Sequence, residues 1–191
     1  MTPPCWIDGV PAEALPATDR GLQYGDGLFE TLALRAGRIV LLKQHLDRLQ
    51  EGCERLGMAM PDRELLRREL SAAASDQSDA VLKLMLTRGS GGRGYRPPSE
   101  AKPRRILFLH PWPSYPAAWG EQGIRLHLCR TRLAHQPQLA GIKHLNRLEQ
   151  VLARAEWDEA DGFQEGLMLD LDGAVVEGTM SNVFASPRRA C

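Results

Sequence analysis

Lys143 stands in the run Gly141-Ile142-Lys143-His144-Leu145-Asn146-Arg147-Leu148-Glu149-Gln150, just ahead of an amphipathic helical pattern. Downstream, Glu177-Gly178-Thr179-Met180-Ser181-Asn182 lies between two strand-like runs. A lysine amine can form a Schiff base with a carbonyl cofactor, and a carboxylate set against a ring nitrogen keeps such a cofactor protonated as an electron sink. The pair Lys143 and Glu177 therefore points to pyridoxal phosphate chemistry. A free lysine titrates at about 10.4 and must be brought toward roughly 7–8 to serve as a general acid and base.

Such residues need a scaffold, and the hydrophobic periodicity outlines one. Trp6-Ile7, Asp8-Gly9 and Val10 read as a small hairpin, because Asp-Gly readily takes the positive dihedrals of a tight turn. Residues 28–35 alternate in side-chain direction, Ala36-Gly37 supplies a turn, and 38–42 return as a strand. From Gln44 the period changes: Leu46, Leu49, Cys53 and Leu56 predict an amphipathic helix ending near Gly57. Asp62 is placed as the cap of a second helix carrying Leu65, Leu66, Leu70 and Ala73. Residues 81–87 and 106–109 read as strands joined by a glycine-rich loop. Pro111-Trp112-Pro113-Ser114-Tyr115-Pro116 cannot continue a central strand, since proline lacks a ladder donor, so the chain divides into domains 1–112 and 113–191, the second carrying Lys143 and Glu177. That part reads as a strand at 124–129, the Lys143 loop, a helix over 147–157, a hairpin of 166–171 and 175–177 turning at Asp172-Gly173, and a last strand at 182–185. Hairpins mixed with helices, without regular strand-helix alternation, define an α+β class.

Composition narrows the range of functions. The 191 residues are 43% hydrophobic and 25% charged, enough to bury real cores. Lys+Arg and Asp+Glu number 24 each, so the formal net charge is zero, and no block of like charge invites nucleic acid or a membrane surface. Neither a basic-then-apolar leader nor an apolar run of spanning length is present, which predicts a cytoplasmic protein. The cysteines stand singly and the histidines lack HExxH spacing, so neither a disulfide framework nor a metal site is expected. Gly89-Ser90-Gly91-Gly92-Arg93-Gly94 matches GxGxxG, but Tyr95-Arg96-Pro97-Pro98 follows where a dinucleotide-binding helix should open. The loop is then either a flexible surface loop or a substrate loop in which Arg93 offers a planar fork to a carboxylate.

Asp19-Arg20-Gly21, Tyr24-Gly25-Asp26-Gly27-Leu28-Phe29-Glu30-Thr31, His45-Leu46-Asp47-Arg48-Leu49, the Lys143 run and residues 177–184 together resemble the fold-type IV family of pyridoxal phosphate enzymes. That family includes branched-chain and D-amino-acid aminotransferases and aminodeoxychorismate lyases, and the resemblance covers nearly all of residues 6–185. The 141–150 run and Thr87-Arg88-Gly89-Ser90-Gly91-Gly92-Arg93-Gly94-Tyr95 resemble the lyase branch. The resemblance implies an N-terminal α/β sandwich-like domain followed by a β-barrel-like domain, incomplete here. It implies that Lys143 carries pyridoxal 5′-phosphate and acts as acid and base once substrate has displaced it. Glu177 would face the pyridine nitrogen, Arg48 would grip the phosphate, and Ser181 and Asn182 would complete the cofactor site. Thr31 would place a hydroxyl beside the lysine for proton transfer. Arg93 and Tyr95 would bind a substrate carboxylate, reaching into the neighbouring subunit's site, which implies a homodimer. Taken singly, a loop lysine, a helix-face arginine, a hairpin carboxylate and a strand threonine are ordinary residues, and the threonine is a good strand former. The implied reaction converts the small molecule 4-amino-4-deoxychorismate to 4-aminobenzoate and pyruvate for folate synthesis. The alternatives are a D-amino-acid or branched-chain aminotransferase of the same family and a non-catalytic remnant or binding protein.

Family members continue well past the Ser181-Asn182-Val183-Phe184 strand, whereas here Pro187-Arg188-Arg189-Ala190-Cys191 follows and does not resemble that continuation. A C-terminally truncated second domain is therefore expected, with unpaired strand edges, an exposed apolar face and a weakened hold on the cofactor.

Overall fold

A computed structural model describes residues 3–186, and the chain divides into two compact units. The first comprises Met1–Pro113 with Gly141–Asn146, and the second Ser114–Ala140 with Arg147–Cys191.

In the first unit, Cys5–Ile7 (β1) and Val10–Pro11 (β2) form the expected hairpin. Asp8 at φ 52° and Gly9 at φ 84° supply its turn. The short helix Arg20–Tyr24 (α1) is capped by the Asp19 carboxylate and ends on Gly25 at φ 66°. Gly27–Arg35 (β3) turns through Ala36-Gly37 into Arg38–Ile39 (β4). The strand predicted over 38–42 stops after two residues, because Leu41 enters the left-handed region at φ 53° and Leu42 opens the next helix, Leu42–Leu56 (α2). That helix ends on Gly57, and Arg63–Ala74 (α3) starts with the Asp62 carboxylate accepting from Leu65 N, both as predicted. Ala80–Thr87 (β5) and Arg104–Pro111 (β6) complete an antiparallel sheet in the order β2-β1-β6-β5-β3-β4.

The two faces of this sheet differ. Strand alternation puts Leu28, Leu32, Leu34, Leu82, Leu84, Leu86 and Leu107 against Leu46, Leu49 and Cys53 of α2 and Leu66 and Leu70 of α3, all buried. Each fully buried leucine contributes about 1.5–3 kcal/mol over leaving it in water, so this layer dominates the unit's stability. The other face carries Phe29, Thr31, Lys83 and Met85, none of them fully buried.

The edge of β3 away from β5 is covered twice. At one end it pairs with β4. At the other, Phe29 N donates to Lys143 O at 2.8 Å, Leu145 N donates to Gly27 O at 3.0 Å, and Leu28 bridges to His144. This pairing places the Lys143 loop in the first unit, whereas the sequence reading has it in a second domain spanning 113–191. A ladder between residues more than a hundred positions apart leaves no local pattern to read.

The second unit comprises Ala117–Gln122 (α4), Leu126–Leu133 (β7), Leu148–Arg154 (α5), a 3-10 turn at Glu159–Asp161, Glu165–Asp170 (β8) and Val175–Gly178 (β9). The sheet runs β7-β8-β9, with β7 parallel and β9 antiparallel to β8. Strand β7 begins later and runs further than the predicted 124–129. Helix α5 is shorter than the predicted 147–157, because Trp157 leaves the helix to pack with Cys129, Ala153 and Met168 in the core. Residues 182–185, expected as a strand, form none. The β8–β9 ladder ends at Gly178, whose N–H turns to Ser181 O at 2.8 Å, and Phe184 is 90% exposed. The reading of residues 187–191 lies outside the described residues.

Candidate active site

Buried Ile142 anchors the loop, leaving Lys143 half-buried beside β3. Its Nζ lies 5.1 Å from the centre of the Phe29 ring. Thr31, two residues further along the strand, shares that face. Thr31 pairs across the sheet with Lys83, whose Nζ sits 5.6 Å from the same ring. The structure thus gathers Lys143, Thr31 and Lys83 on one open face. Lys83 is absent from the sequence reading, although a lone charge inside Val81-Leu82-Lys83-Leu84-Met85 is a usable signal. Two ammonium groups beside one aromatic ring give this face a local positive charge that favours an anion.

Arg48 belongs to a different cluster, on the helix-covered side of β3. Its Nε donates to Glu30 Oε1 at 2.7 Å and its Nη2 to Glu30 Oε2 at 2.5 Å, while His45 Nδ1 lies 2.7 Å from Oε2. Glu30 is 1% exposed. Burial alone would raise its pKa, but the Arg48 fork and His45 hold it below the usual carboxylate range. The hydrogen bonds to Glu30 in turn raise Arg48. Glu30 and Phe29 alternate across β3, so the carboxylate that orients Arg48 and the ring beside the Lys143 amine point to opposite faces of the strand.

In the second unit, Glu177 on β9 accepts from Gln150 Nε2 at 2.8 Å, with Arg147 Nη1 at 4.0 Å. Both partners come from the end of the 141–150 run. Burial pulls the Arg147 guanidinium down, opposed by Glu177 and Glu149. Ser181 Oγ donates to Glu165 Oε2 at 2.6 Å, and Glu165 also accepts from Gly166 N at 2.8 Å, Thr179 N at 3.1 Å, Met180 N at 3.3 Å and the Thr179 hydroxyl. Burial would raise Glu165, yet these donors keep its pKa lowered. Glu165 therefore shapes the turn after Glu177, a role that its position at the head of an apolar strand hardly announces. Asn182 follows, exposed and outside regular structure.

Arg93 and Tyr95 are exposed on the loop between β5 and β6, Tyr95 at 84% and edge-on to Tyr24 at 5.4 Å. The loop runs into β6 without an intervening helix, so the GxGxxG match lacks the helix N-terminus that pyrophosphate requires. Among the described residues no group of three His, Cys, Asp or Glu side chains could hold a metal ion.

An amine pinned by backbone to a sheet edge and a carboxylate at the end of a hairpin are set in a fold that known proteins share. A sequence profile described as amino-transferase class IV matches residues 27–188, and the chain belongs to that family. It is 39% identical over 180 residues to an aminodeoxychorismate lyase of Vibrio harveyi, covering 94% of this chain and 66% of that protein. It is 28% identical over 176 residues to a D-alanine aminotransferase of Bacillus licheniformis, covering 91% of this chain and 60% of that protein. The crystal structure of 4-amino-4-deoxychorismate lyase from Pseudomonas aeruginosa superposes with a TM-score of 0.86 at 60% identity, covering 92% of this chain and 64% of that one. The chain thus spans about two thirds of the length of the lyases it matches, 66% and 64%.

Proposed function

We propose that this chain supplies the greater part of a pyridoxal phosphate-dependent lyase that converts 4-amino-4-deoxychorismate to 4-aminobenzoate and pyruvate. The observation that carries this reading is the position of Lys143, its carbonyl accepting from Phe29 N beside the Leu145–Gly27 bond and its amine on the Thr31 face, in a chain 60% identical to a lyase of that name. The residues suit the cofactor. Lys143 offers an amine on an open face, Glu177 a half-exposed carboxylate steadied by Gln150, and Arg48 a guanidinium oriented by Glu30 and still 37% exposed.

Pyridoxal phosphate, when bound, supplies a carbonyl for amines and a sink for electrons. Lys143 Nζ takes the proton that the substrate ring loses, with the Thr31 hydroxyl beside it as a relay. In a bound cofactor, Glu177 would hold positive charge on the ring nitrogen, and Arg48, Ser181 and Asn182 would hold the phosphate. Arg93 and Tyr95 bind a substrate carboxylate. Loss of pyruvate leaves an aromatic ring, which drives the reaction forward.

The same reading takes the protein as a cytoplasmic homodimer without nucleic-acid or membrane partners. Its balanced charge supports this, and no helix among the described residues is long and apolar enough to cross a membrane. The likeness to D-alanine aminotransferase supports a second reading, transfer of an amino group to a 2-oxo acid.

Incubation with pyridoxal phosphate and 4-amino-4-deoxychorismate separates the two. Release of 4-aminobenzoate and pyruvate is expected, together with a visible absorption band that borohydride removes and Lys143→Ala abolishes. Transamination of D-alanine or a branched-chain amino acid in place of that release would overturn the lyase assignment. A band that survives in Lys143→Ala would overturn the role of Lys143.

A further inference from the structure

Apart from the bond of Gly27 to the Lys143 loop, two motifs, Asp19-Arg20-Gly21 and Tyr24-Gly25-Asp26-Gly27, have no part in the chemistry above. In the structure they form a cradle beneath the glycine loop that carries Arg93 and Tyr95. Arg20 lies at its centre and is 3% exposed. Its Nε donates to Asp26 Oδ2 at 2.8 Å, its Nη1 to Gly94 O at 3.0 Å and its Nη2 to Tyr95 O at 2.7 Å. The guanidinium also lies over the Tyr24 ring at 4.9 Å, and that ring meets Tyr95 edge-on.

Backbone contacts extend the grip. Arg20 N donates to Gly89 O at 2.9 Å, and Gly91 N donates to Thr18 O at 3.1 Å. A Cβ on Gly91 would stand 2.8 Å from Arg20 Cδ, so a glycine there lets the loop close onto the side chain. The same Asp26 Oδ2 also accepts from Arg88 Nε at 2.8 Å, and Arg88 is tied to the carbonyls of Leu56 and Gly57 at the end of α2. Below, Asp19 accepts from Gly21 N, the Thr87 hydroxyl and Arg104 Nη1.

A loop with glycines at 89, 91, 92 and 94 has a large conformational space, and an arginine at its tip would sample directions rather than present one. Arg20 removes that freedom at the two residues just after Arg93. Only a planar fork can do so while remaining paired to Asp26, since three of its five N–H donors are in use in fixed directions. A lysine could keep the Asp26 pair but not both carbonyls.

We propose that Arg20 is a positioning residue for substrate recognition: it fixes the backbone at Gly94 and Tyr95 so that Arg93 and Tyr95 meet a carboxylate-bearing substrate in one geometry. The identity of that substrate rests on the lyase reading; the clamp itself does not.

The test compares the full chain with Arg20→Lys, Arg20→Met and a stability control, Arg105→Met, which loses the Arg105–Glu69 pair elsewhere in the same unit. In limited trypsin digestion, cleavage after Arg93 should quicken by about tenfold or more in both Arg20 variants and by no more than about twofold in the control, because cleavage follows local opening. With 4-amino-4-deoxychorismate as substrate, KM should rise by about tenfold while kcat stays within about threefold, the pattern of lost binding rather than lost chemistry. Unchanged cleavage, equal quickening in the control, or a fall in kcat at constant KM would overturn the proposal. If the wild-type chain releases no 4-aminobenzoate, the lyase reading fails and digestion alone decides the clamp: quickened cleavage sustains it and unchanged cleavage removes it.

Discussion

Glu156 is 7% exposed and accepts four hydrogen bonds, from Arg130 N at 2.7 Å, Thr131 N at 2.7 Å, the Thr131 hydroxyl at 2.7 Å and His127 Nε2 at 3.1 Å. Burial pushes its pKa up, but the bonds from Arg130, Thr131 and His127 outweigh that and bring it down to about 2. An unfolded glutamate titrates at about 4.3, so between the two values the unfolded chain binds more protons and stability is lost as the pH is lowered. Glu156→Gln should therefore flatten the dependence of Tm on pH between about 4.3 and 2, measured by thermal melts across that range; a variant slope as steep as the wild type would contradict it. Glu30 works the same way through Arg48 and His45. Replacing it by Gln removes a carboxylate from a two-point fork and should cost about 1–3 kcal/mol, read from urea unfolding at neutral pH. Lys143, Glu177 and Arg48 stand out in the sequence because they lie in long, distinctive runs. Glu30, Glu165, Glu156 and Lys83 do not, because each takes its meaning from partners met across the sheet or at a distant turn.

Helices α2 and α3 and the hairpins at Asp8-Gly9 and Asp172-Gly173 could be read directly, since caps, turn residues and periodicity are local. What failed was decided elsewhere. Strand β4 ends early because α2 starts at Leu42, α5 ends early because Trp157 is drawn into the core, and 182–185 finds no ladder among the described residues. The Trp157 packing depends on Gly166 at the start of β8. A Cβ there would stand 2.5 Å from Trp157 Cη2 and 2.7 Å from Cys129 Sγ. Gly166→Ala should thus destabilise the second unit by about 1–3 kcal/mol through overpacking, with altered Trp157 fluorescence; a neutral effect in urea titration would show that the indole has room to move.

The two units differ in depth of core. The first buries a continuous leucine layer, while the second rests on Cys129, Ala153, Trp157 and Met168 and leaves Leu148, Val151 and Leu152 of α5 at 76%, 59% and 61% exposure. Urea unfolding should therefore show two transitions, the earlier one reduced in the fluorescence signal of Trp157→Phe, where Trp119 alone reports on the second unit; a single coincident transition by all probes would contradict this. With zero formal net charge at pH 7 and that apolar surface, solubility should pass through a minimum near neutrality, checked by light scattering from pH 5.5 to 8.5. The two-part division was visible at the proline-rich stretch, but the return of the Lys143 loop to the first unit was not. That return has its own consequence. A bare strand edge is a template on which another chain can build, and residues 143–145 are the hem that closes this one at Gly27 and Phe29. Loosening the loop would unpick the hem, so freedom of motion at Lys143 is traded directly against sticking to other copies of the chain.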